Sequence, residues 1–200
     1  MSLHLVIGTP MYGGMCTSEY TDSLLKLSES CNKSGVKLTT IFLGNESLIQ
    51  RGRNTIAHHF MNLPDATHLM FIDADIKFRV EDIVKMIKAD KELIIGPVAL
   101  KGYNWEQIRM AALAGEDDIG RTGGVFNINL LPGIKMEDEN QPFEIEHGGN
   151  AFMMIRRDCL QALEPVTPIY TNGGRSLPDG VEIKDYFRVE INKDTNHLLS

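Results

Sequence analysis

The sequence predicts one α/β domain, Rossmann-like, with a mainly parallel central sheet flanked by helices. Three observations carry that expectation. The first hundred residues alternate short apolar runs with stretches of helical periodicity, each closed by Gly, Asn or Pro. The run Leu69-Met70-Phe71-Ile72 is apolar without interruption, as in a strand buried on both faces. The length of 200 residues suits one domain, since such a chain buries roughly 70% of the surface its unfolded form exposes.

Leu3 to Ile7 reads as a first strand, broken by Gly8-Thr9-Pro10. From Glu19 to Ser34, Leu24, Leu27 and Cys31 recur at helical spacing, and Gly35 supplies a C-cap. Val36 to Leu43 is rich in β-branched and aromatic residues and ends at Gly44-Asn45. Leu48 to Met61 reads as a helix with Ile49, Ile56 and Phe60 on one face, and Pro64-Asp65 breaks the chain after it. The strand at Leu69 to Ile72 leads to a helix over Val80 to Ala89, and Leu93 to Val98 reads as a fourth strand. Four strands with three helical crossovers imply the parallel sheet. Further on, Arg109 to Leu113, Val125 to Leu131 and Asn150 to Ile155 read as strands, with a helix near Arg157 to Leu163. Polar loops bearing Gly or Pro span 115–124, 132–142 and 171–180.

Composition narrows the function. A hydrophobic share of 42% and a charged share of 24% belong to an ordinary globular chain. The net charge of -7, with no long Lys/Arg run, argues against nucleic acid as a partner. Cys16, Cys31 and Cys159 are odd in number and widely spaced, which points to a reducing, intracellular setting without a disulfide framework or zinc site. The start MSLHLVIGTP lacks the charge and apolar core of a signal peptide, and no run of 18 apolar residues suggests a membrane span.

The segment HLMFIDADIKF, His68 to Phe78, carries the chemistry. If Asp73 and Asp75 prolong the strand, its two-residue period sets both carboxylates on one side and Ala74 on the other. Ligands of open α/β sheets bind outside the carboxyl ends of the strands. Two carboxylates there call for compensation, which Mg²⁺ or Mn²⁺ supplies through hard oxygen ligands. The plainer alternative has Asp73 capping the next helix and Asp75 solvated.

The series GTPMYGG, RGRNTIAHHF, LMFIDADIKF, PVALKGYNW and HGGNAFMMIRRDCL resembles glycosyltransferases of the GT-A fold, in particular the short soluble enzymes of chlorella viruses and phages. The resemblance runs in order over residues 3 to 160. It implies a single GT-A domain over 1–200 with a nucleotide-binding half to about residue 105 and an acceptor-side half beyond. It also implies transfer of a hexose-type sugar from a UDP-sugar to a glycan or glycoprotein acceptor, in a host cytoplasm.

By that resemblance Thr9, Pro10, Met11 and Tyr12 cradle the base and ribose, Arg53 and Asn54 face the nucleotide, and Asp73 with Ala74 contacts the ribose. Asp75 is the principal ligand of Mn²⁺ or Mg²⁺, with Asp73 beside it and His197 as a third ligand ranked ahead of His147. Lys101, Tyr103, Gly148, Gly149 and Asn150 fall on the sugar and acceptor side. Among the other histidines, His58 and His59 are neighbours on a helix and cannot share one ligand position, and His68 reads as a core residue.

One departure stands out. Relatives carry a late S-E-D segment whose acidic residues face the acceptor, whereas this sequence ends at NHLLS. The catalytic base is therefore unassigned, either beyond Ser200 or replaced by Asp185, Glu190 or Asp194, and inverting and retaining mechanisms are not separated. A sugar-phosphate nucleotidyltransferase is an alternative, though its expected cationic loop is missing from GTPMYGGMCTSEY. A carbohydrate- or nucleotide-binding domain without turnover is another.

Overall fold

The computed structural model describes residues 2–134, 141–173, 176–194, 196, 198 and 199. The amino-terminal half alternates as its sequence suggests: β1 (His4–Met11), α1 (Ser18–Ser34), β2 (Lys37–Gly44), α2 (Ile49–Met61), β3 (His68–Ile72), α3 (Val80–Ala89) and β4 (Leu93–Ile95). After it come β5 (Ala99–Tyr103), α4 (Trp105–Ala114), β6 (Gly124–Phe126), β7 (Ile128–Leu130) and β8 (Ile145–Gly148). The chain then forms β9 (Phe152–Arg156), α5 (Arg157–Leu163), β10 (Ile169–Thr171), β11 (Glu182–Lys184), β12 (Glu190–Ile191) and β13 (Leu198–Leu199).

Five strands form the central sheet in the order β2-β1-β3-β9-β4. β1 runs parallel to both β2 and β3. β9 runs against its neighbours, as its backbone bonds show. Gly96 N–H donates to Phe152 O and Arg156 N–H to Glu92 O, both at 2.9 Å, while Arg157 N–H reaches Thr67 O. The sheet is thus mixed, which corrects the expectation of a mainly parallel one. A strand from the second half of the chain enters between β3 and β4, and no local pattern announces such long-range pairing.

Other differences have local causes. β1 runs on to Met11, past the expected break, because it pairs with β3 only through Gly8, so Pro10 lies beyond that ladder. The stretch 109–113, expected as a strand, belongs to helix α4. Asn104 Oδ1 accepts from Gln107 N–H at its start and Gly115, with φ 77°, closes it. The expected strand 125–131 divides at Asn127 into β6, paired with β5, and β7, paired with β8.

The chain separates into two compact units, Met1–Ile94 with Met153–Ser200, and Ile95–Phe152. The core of the first is drawn from β1 (Leu5, Val6, Ile7), β3 (Leu69 to Ile72), β9 (Met153 to Ile155) and α2 (Ile56, Phe60), all buried. Gly8 lets α2 lie hard against β1, since a Cβ there would stand 2.4 Å from Ile56 Cγ2. Among the described residues no helix is long and apolar enough to cross a membrane.

Arg157 ties this unit together. Its guanidinium donates to the carbonyls of Phe60 (2.8 Å) and Met61 (3.3 Å) at the end of α2, and to those of Leu63 and Ala66 in the turn beyond. It also lies over the Phe60 ring, 4.6 Å from the centroid. One side chain thereby binds four carbonyls at and just beyond the helix end, two of which, Phe60 and Leu63, also accept from the backbone N–H groups of Leu63 and Ala66. Arg157→Met should lower unfolding free energy by about 2–4 kcal/mol, because the charged bonds go and the carbonyls stay. A urea midpoint equal to the parent's would refute this clamp.

Candidate functional site

β3 stops at Ile72, and the next four residues turn back on themselves. Ile76 N–H donates to Asp73 O at 3.1 Å, so Asp73-Ala74-Asp75-Ile76 is a tight turn and not a prolonged strand. The two-residue alternation expected for Asp73 and Asp75 therefore does not apply. Asp73 is 32% exposed in its side chain, and Asp75 lies exposed at the surface.

The turn is held from two directions. Ala74 O accepts from Thr17 N–H at 2.9 Å and Thr17 Oγ1 at 3.4 Å. The same Thr17 caps α1 by accepting from Tyr20 N–H at 3.2 Å. The cap of the first helix is therefore tied to the acidic turn. From below, Arg53 Nη2 donates to Asp73 Oδ1 at 2.8 Å. Arg53 is only 2% exposed, and its guanidinium lies 5.2 Å from the centroid of Phe71. Phe71 in turn meets Phe187 edge-on, with centroids 5.2 Å apart.

This is an expensive arrangement. Burial pushes the Arg53 guanidinium below its usual value, and the Asp73 charge and hydrogen bond pull against that. Arg53 Nε and Nη1 are buried without an acceptor, a cost of about 1–3 kcal/mol each. The cation is thus fixed chiefly by one carboxylate, and that carboxylate is fixed by the cation.

The other residues expected on the nucleotide side fall in the same unit. Thr9 is fully buried and shares a 2.5 Å hydrogen bond with the Tyr20 hydroxyl, which commits its side chain to the core. Pro10 and Met11 are half-buried at the end of β1, and Tyr12 is 77% exposed on a 3-10 turn that closes through Gly13 (φ 71°) and Gly14 (φ 70°). Positive φ at two successive positions is why this bend carries glycines. Asn54 is buried with both ends of its amide engaged: Nδ2 donates to Asp185 Oδ1 at 2.6 Å and Oδ1 accepts from Phe187 N–H at 2.9 Å. It latches the segment after β11, and Asp185, one of the substitutes considered for a base, serves in that latch.

Other sequence candidates have separate accounts. Glu190 pairs with Arg188 at 3.0 Å, and Asp194 is exposed. His58 hydrogen-bonds Asn62 and His68 bonds Thr67, each within 3.0 Å. His197 lies outside the described residues. Among those described, no three His, Cys, Asp or Glu side chains group as for a metal ion.

The sugar-side candidates lie in the second unit. Lys101 and Tyr103 are exposed on β5. Gly148 lies on β8 in register with Ile128, where a Cβ would stand 2.8 Å from both Ile145 and Ile95, and Gly149 N–H donates to Asn127 O at 2.9 Å. Close packing therefore accounts for both glycines. Asn150 is half-buried, and His147 is exposed beside Glu146.

Two features escaped sequence reasoning. One is the burial of Arg53, for which the available signal is its place three and seven residues before the buried Ile56 and Phe60 on α2. A cleft of about 700 Å³ is lined by Phe42, Asn45, Glu46, Arg51 and His59 among others, while neither Asp73 nor Asp75 lines it. In it Glu46 takes a two-pronged bond from Arg51 at 2.6 and 2.7 Å, and that bond holds the carboxyl below its usual range.

No protein-family profile and no curated protein matches the chain. Among solved structures, the crystal structure of A197 from STIV aligns with 80% of this chain and 68% of its own, at 16% identity and a TM-score of 0.48. A glycosyltransferase involved in the glycosylation of the major capsid of PBCV-1 aligns with 82% of this chain and 64% of its own, at 9% identity and a TM-score of 0.29. At these scores the likeness identifies neither a family nor an activity.

The unequal burial of the Arg53–Asp73 pair makes a directional prediction. Asp73→Ala strands a buried cation and should cost about 2 kcal/mol or more, whereas Arg53→Met leaves a carboxylate that water can reach and should cost less. Denaturant titration of both variants checks the order, and the reverse ranking would sink this account.

Proposed function

We propose that this chain is a metal-dependent glycosyltransferase of the GT-A kind, moving a hexose-type sugar from a UDP-sugar to a glycan acceptor. The observation that carries the reading is the acidic turn Asp73-Ala74-Asp75, at the carboxyl end of β3 and tied through Thr17 to the segment leaving β1. Nucleotide ligands of open α/β sheets bind at such strand ends.

The donor set suits the implied ion. Mg²⁺ and Mn²⁺ are commonly held by one or two carboxylates with ligand phosphates completing the sphere, so a third protein ligand is not required. Asp75, with the second oxygen of Asp73, would hold it, and when bound it supplies neutralising charge to a diphosphate leaving group. Arg53 keeps Asp73 turned toward that position. The backbone of Thr9 to Tyr12, bent by Gly13 and Gly14, offers the wall against which a nucleoside rests.

In the transfer, the bond from the anomeric carbon to the diphosphate breaks and its electrons leave with UDP. The acceptor hydroxyl forms the new glycosidic bond and loses its proton to a base that no described residue is assigned to supply. Positioning of the two reactants accounts for much of the rate gain in such displacements. Three unpaired cysteines support a cytoplasmic setting within this reading.

Calorimetric titration of UDP, GDP and CMP, each with and without Mn²⁺, tests the proposal. UDP should bind only when Mn²⁺ is present, and Asp75→Asn should weaken that binding at least about tenfold while far-ultraviolet circular dichroism stays unchanged. Equal UDP binding by Asp75→Asn would remove the metal assignment, and no binding of any nucleotide would remove the donor site.

A further inference from the structure

Two aromatic rings stand side by side on the surface of the unit Ile95–Phe152. Tyr103 ends β5 and Trp105 opens α4, with centroids 5.6 Å apart and planes tilted by 47°. They are 66% and 72% exposed. Leaving such apolar area in water forgoes about 25 cal/mol per Å² that burial would return.

The pair is held in place by its backbone. Between the rings, Asn104 N–H donates to Gly123 O at 3.0 Å, and Asn104 Oδ1 accepts from Gln107 N–H at 3.0 Å. Tyr103 is in register with Gly124. One turn into α4, Ile108 presses on Gly123, where a Cβ would stand 2.5 Å from Ile108 Cδ1. Each ring has only two side-chain torsions, so little freedom is lost when a ligand covers it.

The surroundings select the kind of ligand. At 100° per residue, the line of α4 that carries Trp105 continues through Arg109 and Ala112, while Met110 lies about 140° round the axis. Exposed Arg109, about 40° round the axis, and Glu106, about 100° round, therefore border the Trp105 ring, while Gln107 faces away. A protein partner needs a contact of about 800 Å² on each side, commonly with an apolar centre. Two rings bordered by polar side chains match something smaller. A pyranose has one face of C–H groups, which packs on the electron-rich face of an aromatic ring, and a rim of hydroxyls, which needs charged or amide groups.

We propose that Tyr103 and Trp105 form a stacking platform for a pyranose ring of a glycan. The platform stands on the geometry of this unit alone; that the bound sugar is the acceptor rests on the function proposed above. Lys101, on the same strand as Tyr103, would then lie toward the sugar's neighbouring residue.

Trp105 is the chain's only tryptophan, so the emission of the unmodified protein reports this site alone. The full chain, without nucleotide or metal, is titrated with oligosaccharides of α- and β-linked glucose, β-linked N-acetylglucosamine, mannose and galactose. At least one should give a saturable blue shift. By calorimetry with that sugar, Tyr103→Ala should weaken binding about tenfold, Trp105→Ala should abolish it, and Trp105→Phe should keep it within about threefold. Unchanged emission with every oligosaccharide, or binding that both alanine variants retain, overturns the platform. A shift given by UDP and by no sugar overturns it as well and moves the rings to a nucleoside base. The UDP and Mn²⁺ titration of the parent protein judges the donor site separately. Sugar binding without UDP binding would keep the platform on a carbohydrate-binding domain, and UDP binding without sugar binding would keep the donor site alone.

Discussion

The constraint on which the site depends is the burial of the Arg53 guanidinium under the end of β3. A cation 2% exposed needs a fixed anion, and Asp73 supplies it at 2.8 Å. Everything nearby serves to bring α2 deep enough for that pair to form. Gly8 admits Ile56 against β1, where a side chain would collide with it. Phe71 and Phe187 form the apolar floor, and the neighbouring Asn54 pins the Phe187 backbone from the same helix. Adjacent polar residues on one helix thus divide the work: one orients the acidic turn, and the other fastens the carboxy-terminal segment under it.

Much of this was legible in the sequence, and the limits are physical. Alternation of apolar runs and helical periods identified β1 to β4 and α1 to α3, because the three helices are long enough to show their period and punctuate the strands between them. The D-x-D pair stood out by residue type, yet its conformation did not. Whether a strand continues or turns depends on where its backbone groups find partners, and here the Ala74 carbonyl is taken by Thr17, 57 positions away in sequence. Arg53 was legible as a charge facing a nucleotide, but its burial was not, although it lies on the stripe of Ile56 and Phe60. The carboxylate that meets it lies 20 residues on, and no local pattern pairs the two.

The second unit was harder to read because its strands are three to five residues long. A segment that short completes barely one or two side-chain alternations. The run Met110-Ala111-Ala112-Leu113 suits a helix or a strand by composition, and only the Asn104 cap and the left-handed Gly115 decide for a helix. Gly148 and Gly149 look from sequence like the close approach of a ligand, but the structure fills the same space with Ile95, Ile145 and Asn127. The aromatic pair was half visible: Tyr103 was singled out for its place after a strand, whereas Trp105 acquires meaning only beside it.

Stability alone gives no account of the Arg53–Asp73 pair. A methionine or leucine would fill the same volume against Phe71 without the desolvation of a guanidinium or the two donors left without acceptors. The return on that cost is orientation. The acidic turn is closed by a single backbone bond between Ile76 and Asp73, and a carboxylate on so short a turn would otherwise sample several rotamers in water. Pinning one oxygen of Asp73 from below fixes where the other can point, before any ligand arrives. In the function proposed above, a chain of net charge -7 would need this twice over, because a diphosphate approaches an acidic protein only where the local field has been arranged in advance. A buried cation behind the turn offsets part of that field and leaves the outer face of the turn open to the solvent.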